Sequence, residues 1–264
     1  IQVVDAAPAI QIGDGFDIKD QYVHMLSLFS LSIVHYQLST ETFMSNKTFG
    51  PFELQKAYNN EPVPADFVQR RRISTAMQTL AERLIRAEGD IDTLSGWADQ
   101  LEALVATVGE PERRDTRAAN RKLFTGSATA EDIFHMMDYD PVGGPSNPIA
   151  PQVEWLQEDQ NGIEGALRLG LQYQGPPGRV HGGVIAWLLD AALSRALHAA
   201  FRLGVTGTLN IRYLAAPPIE DSIHCRARIT GQEGRKIFVE GGIWHGDTQT
   251  VSAEGIWLTP KSLG

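Results

Sequence analysis

The chain has 264 residues, 42% of them hydrophobic, with 23 Lys and Arg against 32 Asp and Glu and a formal net charge of −9. That is enough apolar material for one large domain or a domain with a substantial extension. An acidic balance without a basic stripe excludes nucleic acid as the main partner, and one cysteine, Cys225, excludes a disulfide framework or a cysteine-rich zinc site. The sparing use of cysteine fits a reducing compartment, and a cytoplasmic location is expected.

Residues 1–60 show no clear period. Their most apolar stretch, 23–36, is too short to span a membrane and is expected to be a buried helix or strand rather than a signal-peptide core. From Asp66 the pattern turns helical. Ile73, Met77, Leu80 and Leu84 recur at one spacing, then Trp97, Leu101, Leu104 and Val108, with Gly109 placed as a C-cap. A helical pair is predicted, and its apolar stripes have to be buried on something. The basic run Arg70, Arg71 and Arg72 reads as a solvated helix face, and His135, without ligand-spaced neighbours, as a packed helix residue. No metal site is expected.

Residues 138–151, DYDPVGGPSNPIAP, hold prolines and glycines that continue neither a helix nor a central strand. They read as a linker after a mainly helical extension, 1–137. Beyond them, in 152–264, the charge is nearly neutral, with 10 Lys and Arg against 11 Asp and Glu, and the period becomes two. The predicted order is two strands (VEWLQ, IEGALRLGLQYQ), one long helix over 182–201, then four strands. Among Val184, Ile185, Trp187, Leu188, Leu189, Ala191 and Leu193 that helix is apolar almost all round, so it needs cover on nearly every side. A curved antiparallel sheet wrapped about it provides that cover, which is an α+β hotdog fold.

One carboxylate, Asp190, interrupts the apolar helix nine positions after His181. Buried without partners it would cost roughly 2 to 5 kcal/mol, so compensation is expected. The segments YQGPPGRVHGGVIAWLLD and TGTLNIRYLAAP resemble the hotdog acyl-CoA thioesterases of the phenylacetate-pathway and thioesterase superfamily member 4 type, over about 150–260. The resemblance implies hydrolysis of acyl-CoA with no separate cofactor, coenzyme A being part of the substrate. It implies that Gly182 offers its N–H to the thioester carbonyl and that Asp190 works on water as base or nucleophile. It places the orienting hydroxyl on Thr206, and Gln174 is the nearest side chain for an upstream amide, with Gly175 at that amide's spacing. Substrate contacts are also expected from Gly183 and Thr208.

Elementary physics points the same way. The first N–H groups of a helix lack internal acceptors and lie at the positive end of its dipole, which suits a developing oxyanion. His181 is expected to orient the turn by hydrogen bonding. Arg212, Arg226, Arg228, Arg235 and Lys236 are candidates for the phosphates of coenzyme A, with Arg235 favoured because it follows a turn. Gly182 and Asp190 are separated by about 12 Å along one helix, at about 1.5 Å per residue, so a shared thioester would need Asp190 from a second, antiparallel helix. A homodimer with two shared sites is therefore expected. The helical pair 66–109 is expected to pack near the acyl tunnel as a cover. The rival readings are a hotdog dehydratase or hydratase, whose usual spacing is absent, and a non-catalytic acyl-binding or scaffold domain, which would have lost the carboxylate or the glycine.

Overall fold

The computed structural model describes residues 47–112 and 115–260. The apolar stretch 23–36 lies outside them. Six α-helices and six strands follow in order: α1 Leu54–Asn60, α2 Ala65–Arg86, α3 Ile91–Val108, α4 Thr116–Phe124, α5 Ala130–Met137, β1 Glu154–Asp159, β2 Gly162–Arg168, α6 Gly182–Ala199, β3 Val205–Tyr213, β4 Ser222–Glu233, β5 Lys236–His245 and β6 Thr248–Leu258.

All strand pairings are antiparallel, in the order β1-β2-β4-β5-β6-β3, so β1 and β3 are the edges. The sheet curves around α6, which packs against every strand. The fold is a hotdog, as the patterning predicts. Inward residues alternate along the strands: Ile223, Cys225 and Ala227 of β4 are buried, while Arg226 faces out. They meet Ile185, Leu188, Leu189, Leu193 and Leu197 of α6 in one core. Gly241 lets the helix lie this close, because a Cβ there would stand 2.4 Å from the Arg226 carbonyl and 3.0 Å from Leu193. A bulge in β3 sets Thr206 opposite Trp257 and Thr208 opposite Ile256, leaving Gly207 as an extra residue between them.

The extension has its own small core of Phe49, Leu54, Ala57, Leu123, Ala128 and Ile133. Residues 138–151 form turns that are tied down. Asp138 is fully buried and accepts from Arg71 Nη2 (2.6 Å), Arg71 Nε (3.0 Å), Tyr58 Oη (2.7 Å) and Ser146 Oγ. Arg71 therefore corrects the reading of 70–72 as a solvated face, since a buried carboxylate needs a charged partner and α2 supplies it. His135 packs against Phe67 and stacks on Tyr139.

The helical pair differs from expectation. α2 meets the rest of the protein through Phe67, Arg71, Ser74, Gln78 and Glu82, a largely polar stripe. Its apolar stripe stays in solvent, with Ile73 60% and Met77 50% exposed. No residue of α3 is buried, and among the described residues α3 forms no packed interface with another element. Neither helix covers the hotdog domain through its apolar face. No helix among the described residues is long and apolar enough to cross a membrane.

Candidate active site

α6 begins where Gly175 allows a tight turn: a Cβ there would lie 2.8 Å from the His181 Cα. Gln174 Oε1 accepts from the Gly178 N–H (3.0 Å), so this amide braces the loop. His181 is the N-cap residue, and its Nδ1 accepts from the Gly183 N–H (3.0 Å). That consumes Gly183's donor. The Gly182 N–H has no acceptor among the described residues, and Gly182 is held in place through its carbonyl, which accepts from Tyr213 Oη (2.8 Å).

Two turns further along, Asp190 Oδ1 accepts from Thr206 Oγ1 (2.9 Å). Oδ2 has no protein partner among the described residues. Asp190, half-buried, borders a cavity of about 180 Å³ walled by Trp155, Trp187, Ala191, Met137, Tyr58 and Asp140. The helical extension thus reaches this cavity through α1 and the end of α5, not through the pair 66–109.

Sequence reasoning missed Asp140. Burial pushes its carboxyl above the usual range, the Val142 N–H (2.8 Å) and Arg195 oppose the rise, and the nearby Asp190 adds to it. It stands in the aperiodic 138–151 segment, where only its acidic character among prolines and glycines could have drawn notice. Arg195 lies over the Trp155 ring (4.1 Å) and pairs with Glu158 (3.0 Å), so the cavity's one cation is neutralised. His198 is neutral, its pKa lowered to about 4 by burial and then by Arg195.

The other predicted contacts scatter. Thr208 is exposed on the edge strand, two residues beyond Thr206. Arg235 donates from Nε to the Thr259 carbonyl (2.8 Å), and Lys236 lies opposite Leu258, which pairs with Val205. This is the Thr206 end of β3, whereas Gly182 is at the Tyr213 end. Arg212 is exposed on β3. On the outer face Arg226 pairs with Glu164 (2.9 Å) and lies over Trp244, and Arg228 pairs with Glu240.

A lone apolar helix capped by histidine and wrapped by this sheet defines a hotdog domain, and residues 177–252 of it match the thioesterase superfamily family model. At the level of particular proteins, the chain is similar to acyl-coenzyme A thioesterase THEM4 of Rattus norvegicus, 36% identical over 94 residues, covering 35% of this chain and 40% of the relative. THEM4 of Mus musculus is 34% identical over 92 residues, again 35% and 40%. The chain thus spans about 40% of the length of these curated relatives. A crystal structure of a thioesterase superfamily protein has a TM-score of 0.59 and 29% identity, covering 72% of this chain and 94% of its own. That share exceeds the hotdog domain alone, so the likeness runs into the helical extension.

Proposed function

We propose that this protein hydrolyses acyl-CoA thioesters at a site shared between two copies. The observation that carries the reading is Asp190: a half-buried carboxylate on the hotdog helix, anchored through one oxygen by Thr206 and bordering a cavity. The open Gly182 N–H at the positive end of the same helix supports an oxyanion role.

In this mechanism the thioester carbonyl accepts from Gly182, and Asp190 Oδ2 takes a proton from water as the water oxygen attacks the carbonyl carbon. The tetrahedral oxyanion then collapses, the C–S bond breaks, and the coenzyme A thiolate leaves with its electron pair and takes up the proton held by Asp190, which restores the carboxylate. The products are a carboxylic acid and coenzyme A, and the steps draw only on this chain's residues and water. Gly182 and Asp190 contact opposite ends of β3 and lie about 12 Å apart along α6, so the glycine of one copy would work with the aspartate of the other.

Free thiol release over a set of acyl-CoA substrates tests the reaction. Asp190→Asn should lower kcat by about two to four orders of magnitude with the fold retained. Thr206→Val, which removes one hydrogen bond to the carboxylate, should lower it by about tenfold. Normal turnover by Asp190→Asn would discard the mechanism, and interconversion of hydroxyacyl and enoyl thioesters without thiol release would favour the dehydratase reading. Gly182→Val, where a Cβ makes only ordinary contacts with Tyr213 at 3.7 Å, should be folded and inactive. Mixed with Asp190→Ala it should regain activity through one intact site per mixed dimer; no recovery after proven subunit exchange would refute sharing.

A further inference from the structure

Among the described residues α2 and α3 present two unpartnered apolar stripes, and the charges of the two helices are complementary. On α2 the stripe is Ile73, Met77, Leu80 and Leu84; on α3 it includes Ile91, Leu94, Leu104, Val105 and Val108, with Ile91 78% and Val108 68% exposed. The short link between the helices would ordinarily let them close into an antiparallel hairpin. It does not, because Ala87 (φ −74°, ψ 135°) and Asp90 (φ −69°, ψ 170°) are both extended and lead α3 away from α2. Asp90 fixes the new direction by capping α3, accepting from the Thr93 N–H (2.8 Å).

The charges are sorted between the two helices. α2 carries five arginines against Asp66 and Glu82, while α3 carries Asp92, Asp99 and Glu102 and no Lys or Arg. Arg72 and Arg83 have no carboxylate partner among the described residues, and the three α3 carboxylates have no cation. A helix that binds an anionic lipid surface needs the opposite charge on its polar face.

We propose that α3 of one copy lies along the apolar stripe of α2 in a second copy, and reciprocally. One contact made twice about a two-fold axis covers both stripes and brings the acidic helix beside Arg72 and Arg83. A second copy is the occupant that necessarily presents both the acidic apolar helix and its basic counterpart. The exchange does not depend on the hydrolytic reading.

Cysteine pairing in the full chain tests it. Cys225 is buried and its thiol is pushed up to about 12, so an introduced cysteine is the reactive one. Met77→Cys is mixed, after subunit exchange, with Leu94→Cys, Leu104→Cys or Val108→Cys, and a short bismaleimide is added. At least one mixture should give a linked species of twice 29.0 kDa holding both variants, in about half of the molecules under random exchange. Ser95→Cys, on the polar face of α3, should not link. Arg72→Glu with Arg83→Glu should cut linking several-fold, and adding Asp92→Lys and Asp99→Lys on the partner should restore it. A double variant that links only within one chain would show a hairpin and overturn the proposal. Absence of linking in every mixture and every double variant would overturn it as well, leaving another cover for the stripes.

Discussion

α6 and α2 both carry apolar residues at helical spacing, and they meet opposite fates. α6 is surrounded by its sheet, with eight of its residues buried. α2 spends a polar stripe on the hotdog domain and leaves its apolar one in water. A periodic stripe tells which face is apolar; it does not tell which surface covers it, or on which copy that surface lies. A buried carboxylate can outrank the stripe, since Asp138 needs the Arg71 charge more than the body needs four more apolar side chains.

The strongest test of that ranking is Arg71→Met. It leaves Asp138 buried without its cation and should cost about 3 to 5 kcal/mol in urea unfolding. A loss under 1 kcal/mol would mean that apolar contacts, not the ion pair, seat α2. On α6, Leu188→Ala removes a fully buried side chain and should cost about 2 to 5 kcal/mol.

Acid should weaken the α6 side selectively. His198 is held neutral down to about 4, whereas in the unfolded chain it takes a proton near 6.5. The unfolded state therefore binds more protons between these values, and stability, full above pH 6.5, should fall by up to about 3 kcal/mol as pH drops to 4. His198→Gln should flatten that part of the stability profile. The smallest effect is expected from Met77→Ala, within about 0.5 kcal/mol in the dissociated chain, because its side chain has little contact to lose. A loss as large as that of Leu188→Ala would show that α2 is covered within its own chain.

The hotdog half was legible because local pattern and global cover agree there. Alternation in Ile223, Cys225 and Ala227 names the inward face, and an all-round apolar helix has one economical wrapping. Thr206 and Asp190 were legible as a pair through the family resemblance, not through spacing. The helical extension was legible only as helices. Nothing periodic marks Asp138, whose partners lie 67 and 80 residues away, and the turns around Asp140 follow proline and glycine geometry that hides what they pack against. Nor does alternation reveal that two of the arginines proposed for phosphates, Arg226 and Arg228, pair across the sheet with Glu164 and Glu240.

Gly207 settles a question of parity. Thr206 and Tyr213 stand seven positions apart, and in a regular strand an odd separation puts two side chains on opposite faces. Yet Thr206 reaches Asp190 and Tyr213 reaches Gly182, both on α6. The extra residue in the bulge makes the effective count even. Deleting one residue from the regular run 208–212 with the bulge kept would therefore swing Thr206 to the outer face while Tyr213 stayed in place, whereas deleting Gly207 itself would leave the two six apart and on one face. Single substitutions at the exposed Asn210 or Arg212 leave this count untouched, so β3 tolerates changes of letter far better than changes of length.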